Sequence, residues 1–274
     1  MTKAKLNEIR QTLREKHPLI HCITNPISIN SLANVILAVG AAPIMAEHPR
    51  EVSEITGGAE ALLINLGNIT DARIASAHIS AATASRLGIP IVLDVVGVAC
   101  SSLRRELALE IIKKYHPALV KGNYSEICAL ADNGKRTRGV DSDADCSAES
   151  LSQTASQLSK LYGAVILASG KTDVIAGEQN ITLVHNITLV HNGSPQLASI
   201  TGTGCMLGAL CASYLSVSDA MSAAICAAAV LGICGELAET DKGSGSFSAA
   251  LLDRLCTLSD KELVSKLNTE DKYI

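Results

Sequence analysis

The chain has 274 residues, enough for one large α/β domain with a well-buried core or for two small ones. A formal net charge of -4, with no basic stripe, excludes the electrostatic footprint of a nucleic-acid binder. Hydrophobic residues make up 47% but aromatic ones only 2%, so the core must be built from Ala, Val, Ile and Leu, which suits helices packed closely on a sheet.

The charged stretch 1–16 has no apolar h-region and reads as an amphipathic helix, not an export signal. Beyond it, short apolar runs alternate with longer helical patterns, as expected for a parallel sheet with crossover helices. Strands are expected at Leu19 to Ile23, Ala42 to Met45, Ala61 to Leu66, Ile89 to Asp94, Ala118 to Lys121 and Ala164 to Ala168, with a pair around Thr172 to Val190 and one more at Gln196 to Ile200. Helices are expected near Ser28 to Val39, Arg50 to Thr56, Asp71 to Leu87, Leu103 to Tyr115, Tyr124 to Leu130, Ala148 to Leu161, Met206 to Leu215, Asp219 to Ala238 and Ser248 to Leu267. The polar segment Lys135 to Ser147 reads as a surface loop. No linker breaks the series, so the expectation is a single domain over residues 1–274, with helices on both faces of a mainly parallel sheet.

Three features qualify this frame. Nine cysteines, an odd number without a CxxC pair, lie mostly in apolar segments and read as reduced core thiols of a cytoplasmic protein. From Gly202 to Gly235 the only charge is Asp219, which invites a membrane-hairpin reading. Ser216-Val-Ser-Asp219 splits that run into pieces shorter than the ~20 residues a span needs, so two buried helices packed through small residues are expected, with no membrane partner. Finally, Asn180-Ile-Thr-Leu-Val-His185 recurs unchanged as Asn186-Ile-Thr-Leu-Val-His191. An even-numbered insertion preserves strand alternation, so a longer strand or hairpin can absorb it.

The chemistry concentrates where strands end, because open parallel sheets bind ligands beyond their carboxyl edge. Thr201-Gly-Thr-Gly-Cys205 precedes a nearly uncharged helical run. Its glycines permit a tight turn, and the N–H groups of Thr203, Gly204 and Cys205 can converge as an anion site at a helix N-terminus. The helix dipole there is expected to favour an ionised Cys205, able to act as base, nucleophile or hydrogen-bond donor. A tight turn holding a small buried residue is the competing reading. Asp94 closes a wholly apolar strand, where a carboxylate must be capped, paired or metal-bound. Lys121, Asn123 and Glu126 crowd one strand-to-helix turn, and Asp94 with Glu126 could place a Mg²⁺, although Glu126 alone reads as a first-turn dipole partner. Gly170-Lys-Thr172 is not a P-loop, since Val165 stands where the motif needs glycine. The histidines show no metal-ligand spacing and read as structural, with His21 the one near the site.

Taken together, His21-Cys-Ile-Thr-Asn-Pro26, Ala42-Pro-Ile-Met-Ala-Glu-His48, Ile91-Val-Leu-Asp-Val-Val-Gly-Val98, Val120-Lys-Gly-Asn-Tyr-Ser-Glu-Ile127, Ser199-Ile-Thr-Gly-Thr-Gly-Cys-Met-Leu207 and Gly243-Ser-Gly-Ser-Phe247 resemble hydroxyethylthiazole kinases. The likeness runs nearly the length of the chain, and the order and spacing of the stretches make it specific. It implies a ribokinase-like three-layer fold, Mg²⁺- and ATP-dependent phosphorylation of the primary alcohol of 4-methyl-5-(2-hydroxyethyl)thiazole in thiamine salvage, and a homotrimer with active sites at subunit interfaces. It also implies roles. Asn25, Ile27, Met45 and Gly202 look like substrate-binding residues, Lys121 and Ser169 like ATP contacts beside Asn123, and Asp94 and Glu126 like the metal and phosphate-ordering pair. Cys205 takes the position where other ribokinase-like enzymes carry an aspartate base. The chain departs from the family at Val95 for a proline, Lys121 for the frequent arginine, Ser169 for the frequent threonine, and in the repeated hexapeptide.

The rival readings are a related small-alcohol kinase, such as a hydroxymethylpyrimidine kinase, a hydrolase or phosphatase with Cys205 as covalent nucleophile, and an inactive binding protein. An aspartate at position 205 would favour the first. An arginine soon after Cys205 would favour the second, and none occurs before Arg254.

Overall fold

A computed structural model describes residues 2–131, 148–178 and 185–273. The expected loop Lys135 to Ser147 lies outside the described residues, as does most of the first hexapeptide copy. In chain order the elements are α1 (Lys3–Lys16), β1 (Leu19–Ile23), α2 (Ile29–Val39), β2 (Ala42–Ile44), α3 (Val52–Gly57), β3 (Ala61–Asn65), α4 (Asp71–Leu87), β4 (Ile91–Asp94), α5 (Ser102–Tyr115), β5 (Leu119–Asn123) and α6 (Tyr124–Ala131). They continue with α7 (Ala148–Tyr162), β6 (Val165–Ser169), β7 (Asp173–Glu178), β8 (His185–Val190), α8 (Thr203–Leu215), α9 (Ala220–Ala238), α10 (Ser244–Thr257), α11 (Asp260–Lys266) and β9 (Thr269–Tyr273).

Among the described residues all the strands form one sheet in the order β2-β1-β3-β4-β5-β6-β7-β8-β9. The first six are parallel; β7, β8 and β9 add antiparallel ladders. Alternation along the central strands sorts their side chains into two cores. Leu63, Val92, Leu119 and Leu167 face α1, α2, α8, α9 and α10, while Leu62, Leu93, Val120 and Ile166 face α4, α5, α6 and α7. The three layers are therefore helices, sheet, helices. Both long apolar helices, α8 and α9, lie inside the first core; α9 is long and apolar enough to cross a membrane, but 72% of its apolar window is buried.

Caps in the sequence set the boundaries. Thr2, Thr70 and Ser101 each accept a backbone N–H at the start of a helix, and α2 ends at Gly40, whose φ of +102° is the left-handed cap that glycine adopts without strain. Three expectations need correction. Gln196 to Ile200 is not a strand but part of a 3-10 turn over Pro195–Ser199, because Pro195 at its first position and the Ser194 side chain, accepting from Gln196 N, start a helical turn. The single helix expected over Ser248 to Leu267 is two, since Ser259 and Glu262 form a capping box that begins α11. Strand β9 was not expected at all: as an exposed, charged edge strand, Thr269–Tyr273 has no need of apolar alternation.

The second hexapeptide copy supplies β8, whose Asn186 lies opposite Gly177 of β7. Deleting Asn186 to His191 would leave an identical string to form β8, with Glu178 and Gln179 as a two-residue hairpin link in unchanged register. The expected product is a folded protein with an unchanged or higher melting midpoint and similar activity, because the connection shortens and no core residue is lost. Loss of folding in a thermal melt would show that both copies are integral to the core.

Candidate active site

The site grows from sheet register. Asn65 is paired with Asp94 across β3 and β4, and Asp94 with Lys121 across β4 and β5. Partners in a parallel ladder share a face, and residues two positions earlier, Leu63, Val92 and Leu119, lie in the core beneath α8. Asn65, Asp94 and Lys121 thus form a polar row aimed at α8. The row begins beside the point where strand order reverses between β1 and β3, the crevice that open α/β sheets leave for ligands.

Helix α8 approaches this row closely because of two glycines one turn apart. A Cβ at Gly204 would sit 3.3 Å from Lys121 Nζ, and one at Gly208 would sit 3.2 Å from Asp94 Oδ2. Gly202, at φ +93°, turns the chain into the helix, and the Thr203 hydroxyl donates to Leu197 O at 3.0 Å. The first turn therefore presents its N–H groups, and Cys205, over the carboxyl ends of the strands.

Lys121 Nζ donates to Asp94 Oδ1 at 3.0 Å, and Asn65 Nδ2 donates to Asp94 Oδ2 at 2.8 Å. Both charged residues are buried. Burial pulls the Lys121 ammonium down, but the Asp94 and Glu126 carboxyl groups outweigh it and hold the lysine charged. Burial pushes Asp94 up while Lys121 and Asn65 pull against it; an N–H donor on each carboxyl oxygen at these distances is the geometry of an ion pair. Cys205 is also pushed up, first by burial and then by the Asp94 charge, against Lys121, Ser28 and Asn65. The helix dipole expected to favour an ionised Cys205 is opposed here, because desolvation and the Asp94 charge push the thiol toward its neutral form.

Glu126 closes the other side of Lys121. Its two oxygens accept from Gly97 N and Asn123 N, each at 2.7 Å, so it ties the loop after β4 to the end of β5. Burial pushes its carboxyl up, opposed by Lys121 and those two N–H donors. Asn123 accepts Glu126 N at 2.9 Å and pairs in register with Ser169, whose hydroxyl donates to Gly122 O at 3.3 Å. Among the described residues no three His, Cys, Asp or Glu side chains cluster as a metal cage. Two carboxylates with waters and phosphate oxygens are a donor set that Mg²⁺ favours; Asp94 and Glu126 are the two carboxyl groups beside Lys121, each with both oxygens held by protein N–H donors.

Asp173, the first residue of β7, accepts Gly170 N at 3.0 Å. The residue is half-buried, and burial pushes its carboxyl from 3.8 up to about 7 against Gly170 N–H and Lys121. A carboxyl raised on folding contributes stability that is present below its unfolded value and lost as pH rises through its folded value. Melting midpoints of the parent should therefore fall between about pH 4 and pH 7.5, and Asp173→Asn should flatten part of that fall. Parallel curves for the two proteins would contradict the assignment.

The residues expected around the alcohol pocket are spread more widely. Asn25, 5% exposed, donates from Nδ2 to Asn65 Oδ1 at 3.1 Å and lies 3.8 Å from Cys205 Sγ. Met45 is partly buried against the α8-side core, and the Ala46 carbonyl beside it is held by the buried His21 ring. His21 is thus structural, with burial pulling its pKa down. Ile27 is 68% exposed and points away from any core. Gly202 lies beside Ser28 Oγ. Sequence reasoning missed Asn65 and Ser28. Asn65 ends an apolar strand as Asp94 does, and that shared position was the available signal; Ser28 follows Asn25 closely, and only the fold shows its hydroxyl beside Cys205.

The layered fold and a polar crevice at its strand ends define a ribokinase-like protein; the fold alone is shared with Staphylococcus aureus pyridoxal kinase, at a TM-score of 0.62 and 10% identity over 93% of this chain and 98% of that one. Residues 10–261 match the hydroxyethylthiazole kinase family, and the chain belongs to it. Hydroxyethylthiazole kinase 2 of Clostridium botulinum is 44% identical over 95% of this chain and 98% of its own length. The hydroxyethylthiazole kinase of Finegoldia magna is 38% identical over 97% and 96%. The structure of the Pyrococcus horikoshii hydroxyethylthiazole kinase superposes with a TM-score of 0.88 at 29% identity, covering 98% of this chain and 99% of that one.

Proposed function

We propose that this chain transfers the terminal phosphoryl group of ATP to the primary alcohol of 4-methyl-5-(2-hydroxyethyl)thiazole. The observation that carries the reading is that the whole polar cluster around Cys205 lies within the family match and closes into one buried site. Mg²⁺ held by Asp94 and Glu126 supplies charge neutralisation on the phosphates. Lys121 and the N–H groups of Thr203, Gly204 and Cys205 face the charge that develops on the transferred group, with Asn123 and Ser169 on the nucleotide side. Cys205 orients the alcohol. In a loose phosphoryl-transfer transition state the hydroxyl proton leaves late, so a neutral thiol suffices.

Asn25, Met45 and Gly202 line the thiazole pocket, and Ile27, exposed in the single chain, packs at the subunit contact of a homotrimer. One continuous sheet drawing strands from both ends of the chain supports a single domain, and the free cysteines among the described residues support a cytoplasmic enzyme. A nucleophilic-cysteine mechanism is disfavoured because the thiol is pushed up, where such catalysis needs it down. A coupled assay of ADP release tests the substrate. Mg²⁺-dependent turnover should be stimulated by the thiazole alcohol, and equal stimulation by a hydroxymethylpyrimidine would reject the assignment in favour of the related kinase.

A further inference from the structure

We propose that Asn65 is a positioning residue that sets the direction in which the Cys205 thiol faces the acceptor alcohol; this rests on the reading of Cys205 given above. Asn65 is 2% exposed at the end of β3. Its Oδ1 accepts from Gly67 N at 2.9 Å and from Asn25 Nδ2 at 3.1 Å. Its Nδ2 donates to Asp94 Oδ2 at 2.8 Å and to Cys205 Sγ at 3.2 Å. A primary amide has two lone pairs on oxygen and two N–H donors, so every polar position of this side chain is in use.

The orientation of that amide is not reversible. Gly67 N can only donate and a charged Asp94 can only accept, so rotating the group by half a turn would oppose donor to donor and acceptor to acceptor at once. An N–H therefore meets the sulfur, and the sulfur must turn a lone pair toward it. Asn25 Nδ2, at 3.8 Å, presses a second donor on the same atom. The S–H bond is thereby directed away from both amides, while Asn65 bridges the sulfur and the Asp94 oxygen through one Nδ2 group. Without Asn65, the S–H is free to turn toward the Asp94 carboxylate, whose charge acts on the thiol, and a thiol so turned is no longer available to the alcohol.

A double-mutant cycle separates this role from simple support of Asp94. Asn65→Ala should lower kcat about tenfold, the scale of one lost hydrogen bond to a reacting group, with KM for both substrates within about twofold. In a Cys205→Ala background the same change should cost less than about twofold, because the group it orients is gone. If Asn65→Ala costs the same factor in both backgrounds, Asn65 acts through Asp94 and the proposal fails alone. If Cys205→Ala by itself leaves kcat unchanged, the role given to Cys205 fails and the proposal falls with it. Should Asn65→Ala not fold by circular dichroism, Asn65→Ser, which keeps a small polar group for Gly67 N, completes the same cycle.

Discussion

Replacing Lys121 by methionine should lower the unfolding free energy by about 3–5 kcal/mol, because it leaves the Asp94 carboxylate buried without its cation. Methionine fills a similar volume, so the loss measures charge and not packing. Removing both partners, as Asp94→Asn with Lys121→Met, should restore part of that stability while activity stays abolished, since the phosphate-facing charge and the metal carboxylate are both gone. Denaturant titrations of the parent and the two variants check this. A single variant as stable as the parent would mean that the pair is not ionic in the folded protein. Lys121→Arg should fold, and its second donor arm can serve a phosphate while the first holds Asp94, a division that one ammonium cannot make.

Cys205→Ala should reduce kcat on the order of 10²-fold, at the lower end of what a positioned proton-handling group contributes. Nucleotide affinity should stay within a few fold, because Lys121 and the N–H groups of α8 are untouched. Cys205→Ser should be slowed for the same reason in lesser degree, a hydroxyl replacing the thiol beside the alcohol. Cys205→Asp should remain active: a carboxylate can accept the Asn65 N–H that the sulfur accepts now, and it can take the hydroxyl proton. Steady-state kinetics with the alcohol and the nucleotide varied in turn distinguish these cases. An inactive Cys205→Asp beside a fully active Cys205→Ala would reverse the assignment.

The sequence made the parallel half of the sheet legible, because β1 and β3 to β6 are largely apolar, buried runs and the crossover helices α4 and α5 carry caps at both ends. It concealed β9, where exposure removes the apolar pattern, and the 3-10 turn at Pro195–Ser199, where a short apolar run mimics a strand. In the site, Asp94, Lys121 and Cys205 were each visible as polar residues at apolar boundaries. Their contacts were not, since the register that aligns Asn65, Asp94 and Lys121 is a property of three strands together. The influences on the Cys205 thiol were legible to unequal degrees for a related reason. A helix N-terminus can be read locally, whereas burial and the opposing Asp94 charge arise only when distant segments meet.

The central claim is direct phosphoryl transfer to the thiazole alcohol beside a thiol that is never itself phosphorylated. A single-turnover reaction with ATP labelled in its terminal phosphoryl group, followed in the intact protein and in the product, tests it. The account predicts label in the alcohol phosphate and none on Cys205 at any time point. Label appearing on Cys205 and then passing to the alcohol or to water would contradict it.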